Sequence, residues 1–72
     1  MSKIERTVIE RREGLNGYGT RVVYEIVKIK TPSETDYVWY ETIGQSFTTI
    51  KKSFKNEWRM RKAMESLGFY AI

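Results

Sequence analysis

The segment Thr20–Lys30, TRVVYEIVKIK, constrains this chain more than any other. In an extended chain successive side chains point to opposite faces. Val22, Tyr24 and Ile26 then lie on one side, and Val23, Val27 and Ile29 on the other. A strand that is apolar on both faces belongs inside a sheet, so this segment predicts the central strand of three. Before it, Lys3–Arg11 sets Ile4, Val8 and Ile9 among charges and reads as a solvent-facing strand. Between them, Glu13–Gly19 (EGLNGYG) holds an Asn16-Gly17 pair, which favours positive φ and closes tight hairpins. Thr31–Asp36 (TPSETD) is a turn, with Pro32 presetting φ. Tyr37–Ile43 (YVWYETI) is the third strand, ended by Gly44 and Gln45.

From Thr48 to Gly68 the reading is helical, with Ser46 or Thr48 as N-cap and Leu67-Gly68 as the closing signal. Phe47, Ile50, Phe54 and Trp58 form one apolar stripe; Met60, Ala63, Met64 and Leu67 form a second. Glu57 and Arg61 lie between them as an i,i+4 pair in the favourable order. One continuous helix is expected rather than one bent near Asn56, because no Gly or Pro falls between Lys51 and Leu67 to kink it. Phe69–Ile72 (FYAI) is either a short fourth strand or a tail folded onto the core. The expected fold is therefore α+β, in the order β-β-β-α: a three-stranded antiparallel sheet with one long helix packed on one face. Residues 1–72 are read as a single small domain. Its core should contain Val22 or Val23, Ile26, Val27, Ile50, Phe54, Trp58, Met64 and Leu67, with Trp39 facing the helix.

Charge is distributed unevenly over this plan. Between Thr48 and Gly68 stand six cations (Lys51, Lys52, Lys55, Arg59, Arg61, Lys62) and two anions (Glu57, Glu65), a balance of +4. The remaining residues hold seven of each sign. On a helix, Lys51, Lys52, Lys55, Arg59 and Lys62 share an arc of about 100°. A one-sided cationic face on an otherwise neutral chain points to an anionic partner. The competing reading is a solvated face that keeps a small protein in solution. Lys51 and Lys52 would also sit in the first helical turn, where the macrodipole disfavours cations. Together with Thr48, Thr49 and free backbone N–H groups they would hold a phosphate there. Tolerated imperfection explains the same pair without a ligand.

Other chemistry has little to stand on. The chain contains no cysteine and no histidine, which removes thiolate and imidazole catalysis and ordinary structural zinc sites. The serines have no histidine to activate them, and the carboxylates are scattered. No catalysis, no cofactor and no metal are expected. The charged N-terminal stretch does not read as a signal peptide, and no run approaches the ~20 apolar residues of a membrane span. A cytoplasmic protein with no membrane partner, monomeric or weakly dimeric, is the expectation.

The leading function is nucleic-acid binding, to DNA or RNA, through Lys51, Lys52, Lys55, Arg59 and Lys62. Tyr18, in the glycine loop, and Tyr37 are the aromatics expected to be exposed for contact. The rival is a protein-interaction module, such as a small regulator or inhibitor among phage or mobile-element accessory proteins, docking on an acidic surface of a larger partner.

Overall fold

The computed structural model of this chain describes residues 3–45 and 47–71. Four strands follow one another: β1 (Glu5–Leu15), β2 (Arg21–Lys30), β3 (Thr35–Ile43) and β4 (Phe47–Phe54). One helix, α1 (Glu57–Ser66), and a 3-10 turn, Phe69–Ala71, complete the chain. The strands form a single antiparallel meander in the order β1-β2-β3-β4.

This corrects the expected three-stranded sheet with one long helix. The segment Phe47–Phe54 is not the first half of a helix but the fourth strand. Two physical reasons decide it. Thr48, Thr49 and Ile50 are β-branched in succession and lose side-chain freedom in a helix. The outer edge of β3 also needs a partner for its backbone groups, and β4 supplies it, with the Thr42 and Thr48 hydroxyls 2.9 Å apart across the strands. The turn between them passes through Gly44 at φ 72°, a left-handed conformation that a side chain would strain. The break near Asn56 is therefore a change from strand to helix and not a kink. Asn56 is the N-cap: its Oδ1 accepts from the N–H groups of Trp58 (2.8 Å) and Arg59 (3.2 Å). Thr48 caps nothing, and Ser46 lies outside the described residues.

The first two hairpins fall near the expected places, but β1 runs on through Leu15 into the expected Glu13–Gly19 loop and β3 begins at Thr35 inside the expected Thr31–Asp36 turn. In the first, the positive φ falls on Gly19 and not on the Asn16-Gly17 pair. Asn16 acts instead through its side chain, whose Oδ1 accepts from the N–H groups of Tyr18 (2.9 Å) and Thr20 (3.0 Å). The C-terminal segment is a tail folded on the core and not a fourth strand. Phe69 is fully buried there, and Ile72 lies outside the described residues.

The core occupies one face of the sheet. Ile26 of β2 faces Trp39 of β3, and Lys28 faces Tyr37. Ile26, Tyr37 and Trp39 pack with Met60 and Met64 of α1 and with Phe69. Ile9, Tyr24 and Phe54 border this cluster. Ile9, next to the outward-facing Val8, falls on this face by ordinary alternation, and the bulge that follows it resets the register so that Glu10 pairs with Ile26. Val22, Val23, Ile26, Val27 and Met64 are buried as expected, while Phe54 is only half-buried. Ile50 (63% exposed), Trp58 and Leu67 are not core. Ile50 sits opposite Tyr40 on the face away from α1. Trp58 lies about 160° around the helix from Met60, at 100° per residue. On that far face of the sheet Val8, Val27 and Val38 form a row across three strands, with Val8 half exposed and Val27 and Val38 buried.

Candidate nucleic-acid interface

The five cations come from three elements. Lys51 and Lys52 lie on β4, Lys55 in the connection, and Arg59 and Lys62 on α1. The shared helical arc is thus replaced by a strand–turn–helix. The helix's first turn carries an acid, Glu57, and no lysine, so the proposed anion cradle of Thr48, Thr49, Lys51 and Lys52 at a helix start does not exist.

Four of the five still converge. Lys52, Lys55, Arg59 and Lys62 line one open groove of about 790 Å³ between β4 and α1, together with Ser53, Phe54, Asn56, Ala63 and Ser66. The reason is local. Residues 59, 62, 63 and 66 follow helical spacing and share one face. Only Lys55 and Asn56 separate β4 from α1, so that face turns back towards the strand end carrying Lys52.

Lys51 is drawn elsewhere. It is the extra residue of a bulge, since Trp39 pairs with Lys52 and Tyr40 with Ile50. Its ammonium lies 3.8 Å from a Glu41 carboxylate oxygen. It also sits 5.0 Å and 5.1 Å from the ring centroids of Tyr24 and Trp39, within the reach of cation–π attraction.

The groove's cations differ in availability. The Lys55 ammonium is 2.6 Å from Asp36 Oδ1 and 3.4 Å from Glu34 Oε2. Its hydrogen bond to Asp36 raises its pKa above the ordinary value, outweighing the opposing desolvation. It stays charged but is already paired. Among the described residues, Lys52, Arg59 and Lys62 have no carboxylate within ion-pairing distance. Counting four cations against the two carboxylates on Lys55 leaves a local balance of +2.

The two candidate aromatics part company. Tyr18 is 94% exposed, but the β1–β2 turn lies at the far edge and opposite end of the sheet from the groove. Tyr37 is 9% exposed and belongs to the core. The expectation that it is open to contact is therefore corrected: its place opposite Lys28 puts it under α1. The residue that sequence reasoning missed is Trp58, assigned to a core stripe yet 66% exposed. The Lys62 ammonium lies 5.5 Å from its ring centroid, so the indole borders the groove. The signal was present. With Asn56 as cap, the apolar stripe is Met60, Ala63, Met64 and Leu67 alone, and Trp58 falls on the opposite side.

Among the described residues, no three or more Asp, Glu, His or Cys side chains gather as a metal site. No described helix is long and apolar enough to cross a membrane. No protein-family model, curated protein or solved structure matches this chain.

Proposed function

We propose that this chain is a non-catalytic binding protein that holds nucleic acid in the groove between β4 and α1. The observation that carries this reading is the convergence of Lys52, Arg59 and Lys62, none offset by a carboxylate among the described residues, on one concave surface. Such a surface attracts phosphates and gains affinity by releasing counterions. Lys51 and Lys55 contribute to the field but are already paired.

The test is a titration of labelled DNA and RNA across a salt series. Three contacts correspond to a slope of log K against log salt of about −2 on single strands and about −2.7 on duplex. Replacing Lys52, Arg59 and Lys62 together by Gln should remove most of that slope and leave the fold intact, since all three side chains are exposed. Absence of binding to either nucleic acid at low salt refutes the proposal. The protein-interaction reading then takes over. It draws on the same cations, which would meet an acidic surface, and on the open sheet face with its exposed Val8 and Ile50.

A further inference from the structure

We propose that the groove takes single-stranded nucleic acid, DNA or RNA, and that the Trp58 indole is the platform on which a base stacks; this rests on the nucleic-acid reading above. Three observations point the same way.

The first is Trp58 itself. Trp58 is 66% exposed; among the described residues it is one of several large apolar side chains left in water, and the one whose ring lies beside a cation of the groove. Its place on α1, about 40° from Lys62 and about 160° from Met60, keeps it out of the core. Lys62 lies over the ring and also lines the groove. An exposed indole thus lies beside a cation that has no carboxylate partner among the described residues. Alternation of cations and aromatic faces is how single strands are held, because every base has a π-face to offer once it is unpaired.

The second is shape. The cations line a concavity, and Phe54 forms part of its wall. About 790 Å³ falls within the size range of small-ligand clefts. That is room for about one or two nucleotides rather than a base-paired segment. A duplex needs a convex element to enter its major groove, and here α1 turns its cationic side towards β4.

The third is the modest charge. Three cations without a carboxylate partner among the described residues supply few phosphate contacts, so binding by charge alone would be feeble at physiological salt. Stacking supplies the salt-independent part of the affinity, and an exposed indole is the side chain best suited to it.

The experiment uses the full chain and four probes: oligo-dT and oligo-U of about 12 nucleotides, inside the footprint of known single-strand binders, and DNA and RNA duplexes of the same length. Affinities are read by fluorescence anisotropy of the labelled probes. Single strands should bind more tightly than duplexes. Trp58→Ala should weaken single-strand binding about 5- to 150-fold, the loss of one stacked base, without changing the salt slope, while Trp58→Phe keeps most of the affinity. The Lys52/Arg59/Lys62 triple Gln variant should do the converse and flatten the slope. A second readout is intrinsic emission. Trp39 is buried and Trp58 exposed, so in a Trp39→Phe background Trp58 is the sole reporter and should be quenched by the single strand. The dT and U arms separate DNA from RNA. Duplex binding as tight as single-strand binding, or single-strand binding indifferent to Trp58→Ala, overturns this inference while the nucleic-acid function stands. No binding of any probe overturns both.

Discussion

The C-terminal turn should hold the fold together more than its position near the chain end suggests, and Phe69→Ala tests this. Phe69 is fully buried. Its ring centroid lies 5.4 Å from that of Trp39 at an interplanar angle of 70°, and 5.8 Å from that of Tyr24. A buried Phe→Ala change costs about 3–5 kcal/mol from lost transfer energy and the residual cavity. Edge-to-face aromatic pairs lie within that range or add to it. The whole stability of a chain this size is roughly 4–11 kcal/mol at typical values per residue. The variant therefore gives up roughly a quarter or more of the total, and its melting temperature should fall by roughly 12–40 °C. Thermal melts and urea titrations by circular dichroism measure it, with near-UV dichroism reporting the loss of ordered packing around Trp39. Phe54→Ala is the internal control. Phe54 is half-buried at the edge of the same cluster, so it should cost clearly less. A Phe69→Ala loss below about 1 kcal/mol, or one smaller than that of Phe54→Ala, would mean that the turn does not close the core and that α1 with Met60 and Met64 suffices.

Asp36→Asn combined with Glu34→Gln frees the Lys55 ammonium and should tighten nucleic-acid binding and steepen its salt slope by up to about 0.7 on single strands, one more phosphate contact; an unchanged slope would show that Lys55 does not face the ligand. Trp39→Phe removes an indole N–H that finds no acceptor among the described residues, an orphaned donor costing about 1–3 kcal/mol. That gain offsets the lost ring volume, so urea titration should find the variant within about 1.5 kcal/mol of the parent, whereas a loss near that of Phe69→Ala would mean the N–H is satisfied. Acid should destabilise the fold through Glu13, whose carboxylate accepts hydrogen bonds from Arg21 (3.0 Å) and Arg11 (2.6 Å) that hold its pKa below the ordinary 4.5. A group with its pKa lowered on folding contributes stability above its unfolded value and loses it as pH falls through the folded one. Glu13→Gln should therefore flatten the decline of stability below about pH 4.5 seen by denaturation at several pH values.

The first three strands were legible because each announces itself by local pattern. TRVVYEIVKIK is rich in β-branched residues and apolar on both faces, and turn residues flank it on either side. The fourth strand was hidden by two coincidences. Phe47, Ile50 and Phe54 fall at i, i+3 and i+7, which imitates a helical stripe. The bulge at Lys51 shifts the alternation by one residue, so Phe47 and Phe54 reach the core face although seven residues apart. A non-local signal was available. Tyr37–Ile43 is also apolar on both faces, with Val38 and Tyr40 opposite Tyr37 and Trp39, and the rule that placed β2 inside a sheet asks for a neighbour on each side of β3 as well. Asn56-Glu57 was a sound helix start, with a capping side chain and an acid in the first turn.

The cationic cluster survived this error because charge segregation is a property of sequence locality rather than of helical phase. Residues 51–62 stay near one another under almost any local fold. What the secondary structure decides is the curvature of the surface they make. As one helix they would form a ridge about 16 Å long at 1.5 Å per residue, convex and suited to a duplex groove. As a strand end, a two-residue connection and a helix start, they fold back on themselves. Lys52 then faces Arg59 and Lys62 across a hollow, Lys51 is drawn to Glu41 and the aromatic core, and Trp58 moves from the core to the rim. The same charges therefore imply a different form of ligand. A ridge would bind by phosphate contacts alone and lose all discrimination between strands as salt rises. A hollow edged by an indole keeps a salt-independent preference for unpaired bases. Extrapolated to about 1 M salt, where counterion release contributes little to log K, single strands should consequently still bind more tightly than duplexes. Equal affinities for single strand and duplex at that limit, or a preference there that Trp58→Ala leaves unchanged, would restore the ridge.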